Sequence, residues 1–471
     1  MRRLSGIAVA AAVAFGAMAG PARAAAWQPL GDVSPRTSFA PRADLLVTPD
    51  GTMRAVYTDG ETLWVRTRAP HASGFGPPVQ LSTGAPVRLY ELVRGGPRPT
   101  VAWTERLAGD GGPERIMSAP LDASAAPSLV ATAGGRVHDI ATHRDETGID
   151  RAVWHEGGFP ASAIRFAEAG RVQTLAEGEF LRDPVIAVGS EGGALMIAWS
   201  DGERGVQVVN RARGATMLSA PRPVGPPAAP QSGKVLSHDG GERWLMAWSE
   251  TYRPDAGARL VAARGTLDKG TTRRDVLSRP HALDVRTRLG YGRSDYVVSW
   301  QVEVERRPSA VQVAVASRDG GRFSVTSLSR GDVHSPRVEM SGGAVVLAWL
   351  RKSGRTWIVE GTRRDARGRW GPVDRASGPG AGELALAPAA SERVYAIWTR
   401  RPPEQPERIE SALNDTGRFG RALLVTQLAR ATDRLSRPAG FSVRNTRIAA
   451  MWRVTLGEGF FWQAAVYGGG V

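Results

Sequence analysis

Aromatic residues that close apolar segments recur along this chain at nearly constant spacing. Eight tryptophans and one tyrosine end such segments, as in Val101-Ala102-Trp103 and Leu347-Ala348-Trp349. We call them the anchors: Tyr57, Trp103, Trp154, Trp199, Trp248, Trp300, Trp349, Trp398 and Trp452. Successive anchors lie 45 to 54 residues apart. A period in the range of about 20–50 residues is typical of proteins built from one repeated supersecondary unit. The pattern predicts about nine repeats of about 49 residues.

One repeat shows how the unit is built. Pro336–Met340 is a short candidate strand, and Ser341-Gly342-Gly343 is a turn sequence. Ala344–Trp349 is an almost wholly apolar strand, Arg355–Gly361 is a third strand, and Trp370–Val373 begins a fourth. Short strands separated by turn residues predict antiparallel hairpins. Helical periodicity is absent, so each unit is predicted to be a four-stranded antiparallel meander.

The strand that ends in each anchor is apolar on both faces. An antiparallel sheet with one wet face would alternate apolar and polar residues instead. A sheet packed between two neighbouring sheets has no wet face, and four-stranded units stacked around an axis form a β-propeller. We therefore predict an all-β fold, a single β-propeller of eight or nine four-stranded antiparallel blades. The anchors are predicted to pack between the blades.

The two ends of the chain predict how the ring closes. The last repeat stops after its third strand, Phe461–Val466, and lacks a fourth. The segment Trp27–Ser34 near the other end resembles the fourth-strand segment Trp370–Ser377. An N-terminal strand that completes the last blade would lock the ring and protect the sheet edges.

The first residues have the features of a secretory signal peptide. A basic head, Met1-Arg2-Arg3, precedes the apolar run Leu4–Gly20 and the small-residue pattern that ends at Ala24. This pattern predicts a signal peptide over residues 1–24, cleavage after Ala24 and a propeller over residues 25–471, which would be secreted or periplasmic. An uncleaved membrane anchor is the alternative. No later segment is apolar enough to span a membrane, and the absence of cysteine excludes disulfides and thiol catalysis.

Turn sequences between the third and fourth strands carry a resemblance to a known family. Asp365-Ala366-Arg367-Gly368-Arg369-Trp370 and Asp415-Thr416-Gly417-Arg418-Phe419 share an aspartate, a glycine and an aromatic residue, and Ser317-Arg318-Asp319-Gly320-Gly321-Arg322-Phe323 is a fuller version. The repeat resembles the bacterial-neuraminidase-repeat, or Asp-box, propellers, which include the sialidases. The resemblance implies a propeller fold, with the aspartates as turn-forming residues remote from any active site.

The catalytic residues of sialidases are not carried over by this resemblance. Those enzymes use three arginines that clamp a carboxylate, a tyrosine nucleophile with a glutamate partner, and an acidic aspartate. Arg36-Thr37 and Arg42-Ala43 lie in the corresponding region but do not match the arginine signature of the family. None of the 7 tyrosines has a recognisable nucleophile context.

Charged residues follow the anchors at a fixed place. The residue two positions after an anchor lies at the end of its strand, on the propeller face that usually carries ligands. Seven repeats have a charged residue at this position: Asp59, Glu105, Glu156, Asp201, Glu250, Arg351 and Arg400. His155 directly precedes Glu156 and is included with them. These residues are the predicted ligand-binding set, with an acidic arc opposite a basic one. The alternative is that each is a solvated strand end or the partner of a neighbouring arginine.

Charge and composition narrow the choice of ligand. The sequence has 58 Arg, 3 Lys and a net charge of +15, and residues 321–471 carry +10. A one-sided positive field favours an anionic ligand. The arginine excess is also what GC-rich coding would produce, and no stacking-aromatic basic stripe accompanies it, so we predict no nucleic-acid partner. No metal signature or cofactor-binding motif is present, and we predict neither a metal nor a cofactor.

These features predict a protein that binds rather than catalyses. The expected partner is an extracellular or cell-wall glycan, another anionic ligand or a protein, and the propeller is expected to be a monomer. A sialidase-like glycoside hydrolase is the alternative, with acids drawn from Glu105, Glu156, Asp201 and Glu250. Two carboxylates at a suitable separation would supply its chemistry. A scaffold for envelope assembly is a third possibility.

Overall fold

The computed structural model describes most of the chain. Residues 26–468 are described, except for short gaps at 39–41, 49, 94–97, 108, 110–111, 146–147, 159–160, 190–192, 226–228, 231–233, 239–241, 252–257, 269, 279–281, 290–294, 305–306, 318–320, 390–391, 416, 429–433, 444–446 and 457–458. The predicted signal peptide, residues 1–24, lies outside the described residues.

Nine antiparallel sheets form a single ring, so the chain is a nine-bladed β-propeller. The repeat count of nine is thereby confirmed, and the possibility of eight blades is removed. Within each of blades 1 to 8, consecutive strands pair from the inner strand at the channel to the outer strand at the rim. In the part of the chain that the structure describes, no helix is long and apolar enough to cross a membrane.

The strands of the first three blades follow one another along the chain. Blade 1 contains β2 (Ala43–Val47), β3 (Met53–Thr58), β4 (Leu63–Arg68) and β5 (Val79–Gln80). Blade 2 contains β6 (Val87–Val93), β7 (Thr100–Arg106), β8 (Glu114–Pro120) and β9 (Ser128–Ala133). Blade 3 contains β10 (Val137–Arg144), β11 (Asp150–Gly158), β12 (Ala161–Glu168) and β13 (Arg171–Gly178).

The next three blades include one divided inner strand. Blade 4 contains β14 (Leu181–Val188), β15 (Leu195–Asp201), β16 (Gly205–Arg211) and β17 (Arg222–Pro223). In blade 5 the inner strand is split into β18 (Ala229–Pro230) and β19 (Val235–His238), followed by β20 (Arg243–Thr251), β21 (Ala258–Thr266) and β22 (Gly270–Ser278). Blade 6 contains β23 (Ala282–Leu289), β24 (Tyr296–Val304), β25 (Arg307–Ala316) and β26 (Ser324–Arg330).

The last three blades bring the chain back to its beginning. Blade 7 contains β27 (Val333–Ser341), β28 (Ala344–Ser353), β29 (Thr356–Arg364) and β30 (Asp374–Arg375). Blade 8 contains β31 (Ala381–Pro388), β32 (Val394–Arg400), β33 (Arg408–Asn414) and β34 (Leu423–Gln427). Blade 9 contains β35 (Arg434–Val443), β36 (Arg447–Leu456), β37 (Gly459–Gly468) and the N-terminal strand β1 (Ala26–Asp32).

The N-terminal strand closes the ring, as the sequence predicts. Strand β1 pairs antiparallel with β37, with Trp27 opposite Tyr467. The indole Nε1 of Trp27 donates a 2.7 Å hydrogen bond to Ser411 Oγ in blade 8. The first described strand therefore ties the last blade to the one before it, and the outer edge of β37 is covered.

The core is divided into nine apolar clusters, one at each seam between neighbouring blades. Each anchor lies in the cluster that its blade shares with the preceding blade. Trp103, for example, packs with Val56 and Val65 of blade 1, and Tyr57 packs with Met451 of blade 9. All nine anchors are at most 2% exposed. Their large apolar surfaces fill the seams and hold the blades together without disulfides.

Glycine and aspartate residues form hairpin turns at the places where the sequence predicts them. Gly342 and Gly343 have φ of 56° and 94°, a region that favours glycine, in the turn between β27 and β28. Asp365 follows β29, and its Oδ1 accepts a 2.9 Å hydrogen bond from the amide of Arg369. This is the turn-forming role that the family resemblance implies. In the segment Ser317–Phe323, residues 318–320 lie outside the described residues.

Candidate functional site

Glu105, a predicted site residue, is buried in the seam between blades 1 and 2. Its Oε1 accepts a 2.9 Å hydrogen bond from the indole Nε1 of Trp103 and a 2.8 Å bond from the amide of Thr83. Its Oε2 pairs with Arg115 at 2.9 Å. Residues i and i+2 of a strand point to the same face, which is why the carboxylate reaches the anchor. The carboxylate is fully engaged inside the protein.

Glu156 and Glu250 repeat this arrangement in blades 3 and 5. Glu156 accepts a 2.8 Å bond from Trp154 and pairs with Arg165 at 2.9 Å. Glu250 accepts a 2.9 Å bond from Trp248 and pairs with Arg259 at 2.8 Å. Both glutamates are buried. Each therefore satisfies the N–H of its anchor and the charge of an arginine on the next strand.

The two predicted aspartates have other internal partners. Asp201 Oδ1 accepts hydrogen bonds of 2.9 Å from the amides of Glu203 and Arg204, so it caps the turn between β15 and β16. Asp59 accepts a 2.8 Å bond from the indole of Trp64, on the third strand of blade 1. An aspartate is one methylene shorter than a glutamate, and neither bonds to its own anchor.

In the blades of the two predicted arginines, the arginine follows the anchor and its glutamate partner lies on the neighbouring strand. Arg351 pairs with Glu360 at 2.7 Å, and Arg400 pairs with Glu410 at 2.8 Å. In both blades the glutamate lies on the third strand, opposite the anchor. Blade 3 has the opposite polarity, with Glu156 after the anchor and Arg165 opposite it. The ion pair is thus retained while its two members exchange places.

Each charged group of the predicted set is consequently engaged by a neighbouring residue. Contact of these groups with a ligand stays a prediction. An independent observation supports the structural role of the glutamates. The indole Nε1 atoms of Trp199, Trp300, Trp349, Trp398 and Trp452 have no hydrogen-bond partner among the described residues. Those are the tryptophan anchors that no glutamate follows at the second position.

The inner strands, which border the central channel of a propeller, are irregular near their first residues. Seven inner strands contain a β-bulge close to their first residues, in blades 2, 3, 4, 6, 7, 8 and 9. In blade 5 the inner strand is interrupted between Pro230 and Val235. A bulge leaves residues out of the ladder and redirects their side chains. The bulged segments therefore form a ring around one channel mouth.

Three bulges hold a residue other than glycine at positive φ. Asp183, Ser335 and Arg437 have φ of 51°, 54° and 51°, and each precedes a proline. Left-handed backbone is costly for such residues and persists where the surrounding structure enforces it. The dipeptides Asp183-Pro184, Ser335-Pro336 and Arg437-Pro438 are the sequence signal for this ring. Our sequence analysis missed these residues because it followed the second strands.

A cavity of about 450 Å³ opens at the inner strands of blades 6 to 9. We call it the arginine pocket and define it by its charged and hydroxyl lining residues: Arg286, Arg288, Arg337, Arg437, Glu383 and Ser335. Aliphatic residues such as Leu384 and Val338 form the rest of the wall. The lining residues include four arginines and one glutamate, so their formal charge is positive.

Two of the four arginines are held by the protein. Arg288 forms a bidentate ion pair with Glu339, with contacts of 3.1 Å from Nε and 3.0 Å from Nη2 to Oε2. Arg337 donates from Nε to the carbonyl of Leu384 at 3.2 Å and from Nη1 to that of Pro336 at 3.0 Å. These contacts fix both side chains in the wall.

The other two arginines have spare hydrogen-bonding capacity. Arg286 donates from Nη1 to the carbonyl of Val285 at 2.9 Å. No described carboxylate forms an ion pair with the guanidinium of Arg286 or Arg437; Glu383 is bonded by the backbone amide of Arg437 instead. Burial lowers the pKa of nearby Arg453, and the positive charge of Arg437 lowers it further. The pocket thus concentrates positive charge that the protein does not neutralise internally.

A second group of titratable residues lies at the same channel mouth, in blades 3 to 5. We call Lys234, Ser200, Asp139 and Asp183 the lysine network. Lys234 Nζ donates a 2.8 Å hydrogen bond to Ser200 Oγ in a buried position. Burial lowers the pKa of Lys234 to about 7. Burial, followed by the charge of Asp183, raises the pKa of Asp139 to about 6.

His155, the histidine predicted to lie near the mouth, borders this network. Its ring centroid lies 5.1 Å from that of His138. Burial and then the His138 charge lower the pKa of His155, while Asp183 and Glu156 act in the opposite direction. Among the described residues, histidines and carboxylates nowhere meet in a group of three that could hold a metal ion.

Comparisons with known proteins add little beyond the architecture. No protein-family model matches the chain, and no curated protein matches it. Solved structures with detectable similarity include a eukaryotic initiation factor, 9% identical over 83% of this chain and 92% of that one, with a TM-score of 0.46. A leech intramolecular trans-sialidase is 8% identical over 91% and 90%, with a TM-score of 0.33. A Penicillium chrysogenum α-L-arabinanase is 12% identical over 48% and 79%, with a TM-score of 0.32. These similarities are too distant to indicate a ligand or a reaction.

Proposed function

We propose that this chain is a binding propeller that takes a small anionic ligand in the arginine pocket. The observation that carries the proposal is that one cavity of about 450 Å³ contains Arg286 and Arg437, neither of which forms an ion pair with a described carboxylate. Guanidinium forks match carboxylate, phosphate and sulfate oxygens in pairs, so Arg286 and Arg437 would hold the anion. Ser335, which is half-buried in its bulge and lines the same cavity, would add a hydroxyl contact.

The dimensions of the arginine pocket favour one compact group over a long polymer segment. Pockets for small molecules usually measure about 300–1,000 Å³. The aliphatic wall at Leu384 and Val338 would cover an apolar face of the ligand. An acidic monosaccharide, or the charged end of a cell-wall glycan, combines these chemical features. The net charge of +12 on residues 25–471, which is the +15 of the full sequence less Arg2, Arg3 and Arg23, would attract such a ligand from a distance.

The proposal is tested by binding measurements on purified protein. Residues 25–471 are screened against neutral and acidic glycans, and hits are measured by calorimetry. The double variant Arg286→Gln/Arg437→Gln is expected to lose binding of acidic hits. A matched control, Arg171→Gln/Arg204→Gln, removes the same charge from exposed positions outside the pocket and is expected to retain it. Equal losses in both variants, or hits that are all neutral, would refute an anion site in this pocket.

Glycoside hydrolysis is a second candidate function because of one observation. The Asp139 carboxyl has a pKa raised to about 6 beside the Asp183 carboxylate. Most glycosidases use two carboxyl groups as catalytic residues, one protonated and one ionised. Turnover of an aryl glycoside that disappears in Asp139→Asn would establish catalysis. Glu105, Glu156 and Glu250 are less suited to act as catalytic carboxylates, because each already accepts a hydrogen bond from a tryptophan and pairs with an arginine.

We also propose that the protein is exported and that it is related to the Asp-box propellers. The sequence of residues 1–24 supports secretion to the periplasm or beyond, with cleavage after Ala24. Mass spectrometry of the mature N-terminus after expression in a Gram-negative host tests this directly.

The capped turn at Asp365 supports a relation to the Asp-box propellers. A sequence profile built from closer relatives would test that relation.

A further inference from the structure

Lys234 is an exceptional residue in this chain. The sequence uses 58 Arg and only 3 Lys, yet a lysine occupies the seam between blades 4 and 5. The residue is 8% exposed, and its Nζ donates to Ser200 Oγ at 2.8 Å. An arginine stays charged in proteins, whereas a buried lysine can lose its proton. The side chain at this position can therefore lose its positive charge by deprotonation.

The charged groups around Lys234 come from two elements. Asp183 and Arg182 lie on β14, and Asp139 lies on β10. The charges of Asp183 and Asp139 favour the protonated lysine, while that of Arg182 opposes it. Asp139 in turn faces Asp183 and Lys234. Within the described residues, the network gains positive charge by protonation of Lys234 and then of Asp139.

One hydrogen bond connects the strand that follows Lys234 to a strand that lines the arginine pocket, across the seam between blades 5 and 6. Lys234 immediately precedes β19, and Ser237 follows on that strand. Ser237 Oγ donates a 3.1 Å hydrogen bond to the carbonyl of Thr287 on β23. Thr287 is the neighbour of Arg286, which lines the pocket. The two groups of residues thus lie on adjacent inner strands around one channel mouth.

We propose that the lysine network makes anion binding in the arginine pocket proton-linked, so that the ligand is held more tightly in acid and released as the pH rises. This inference rests on the proposed function and adds regulation of the same site. Gain of a proton by Lys234 or Asp139 makes the channel mouth more positive, which strengthens the attraction of an anion in the pocket. By reciprocal linkage, a bound anion favours proton uptake by the network.

The direction and range of the effect follow from the titrating groups. With a pKa of about 7, Lys234 changes charge near neutrality, and Asp139 follows at about 6. His155, which faces His138, Asp183 and Glu156, has a lowered pKa and would add positive charge only in stronger acid. Each charge that the network gains strengthens the attraction of an anion by an amount that falls with distance and with the dielectric between the charges. We expect affinity to decrease by about two- to ten-fold between pH 6 and pH 8.

Chloride is a suitable probe, because its own charge does not change over this range. Broadening of the chloride NMR signal reports bound ion, and displacement by sulfate gives an affinity at each pH. The wild type is expected to bind more weakly at pH 8 than at pH 6. Lys234→Met, which lacks the titrating cation, should bind weakly at both. Asp139→Asn should bind more tightly than the wild type at pH 8 and provides a second test if Lys234→Met fails to fold.

The outcomes separate this inference from the proposed function. If Arg286→Gln/Arg437→Gln removes the broadening but Lys234→Met and Asp139→Asn both keep the pH dependence of the wild type, proton linkage through the network is refuted while the anion site stands. If broadening is unaffected by the arginine substitutions, the anion site and its regulation are refuted together. A wild type with equal affinity at pH 6 and pH 8 refutes the regulation alone.

Discussion

Glu250 accepts a 2.9 Å hydrogen bond from the indole Nε1 of Trp248, the residue two positions before it on the same strand. The pairs Trp103–Glu105 and Trp154–Glu156 repeat the contact. A buried indole N–H is stabilised by an acceptor, and a glutamate two residues later on the same face supplies one. The glutamate also binds an arginine, so a single side chain satisfies two donors in a seam between blades.

Loss of such a glutamate should weaken the propeller. Glu156→Ala leaves the Trp154 indole without its acceptor and Arg165 without its ion pair, at a cost of about 1–3 kcal/mol in the free energy of unfolding. Chemical denaturation followed by tryptophan fluorescence measures it. The control Glu177→Ala removes an exposed carboxylate, 4.0 Å from the same arginine, and should cost under about 1 kcal/mol. Equal costs would show that the seam contact is unimportant.

Ring closure should depend on the first described strand. Trp27 is buried at the junction of blades 8 and 9, where it bonds to Ser411 and lies 5.5 Å from the Tyr467 ring. Trp27→Ala should destabilise the protein by about 3–5 kcal/mol and expose β37 to proteases. Limited proteolysis and thermal unfolding test this, with exposed Gln28→Ala as the control. A normal unfolding temperature in Trp27→Ala would contradict closure by this strand.

The raised pKa of Asp139 predicts a pH dependence of stability. Its pKa is about 6 in the folded protein, against an ordinary value of 3.8 for an aspartate. Between these values the folded state binds more protons than the unfolded state, so stability falls as the pH rises through this window. The decrease assigned to this group is roughly 3 kcal/mol. Asp139→Asn should lack it, so the stability difference between variant and wild type should grow from pH 4 to pH 7. A constant difference would contradict the shift.

The left-handed backbone at Ser335 predicts an unusual order of substitutions. With φ of 54°, this position is strained for any side chain and most of all for a β-branched one. Ser335→Gly and Ser335→Val both lose the 2.9 Å contact with His334 Nδ1. The glycine variant should nevertheless be more stable than the valine variant by about 1–2 kcal/mol, as judged by denaturation midpoints. The reverse order would mean that the bulge adopts another conformation.

The repeats and their packing could be predicted from the sequence because they depend on local patterns. Trp349 at the end of a two-faced apolar strand indicates a sheet between two others, and Trp27 indicates the closing strand. The candidate site could not be found in the same way. A bulge shifts a strand out of its two-residue alternation, so no period identifies Asp183 or Arg437 as facing the channel. Sequence also cannot distinguish Glu105, whose partners are buried tryptophan and arginine side chains, from a glutamate open to a ligand.

The location of bound anions tests the central claim most directly. Crystals soaked briefly in bromide give anomalous peaks that locate the ions without assumptions about the natural ligand. Our account predicts a leading peak in the arginine pocket, within about 3.5 Å of guanidinium nitrogens of Arg286 or Arg437. That peak should disappear from crystals of Arg286→Gln/Arg437→Gln. Bromide peaks confined to arginines outside the channel, with an empty pocket, would contradict the proposal.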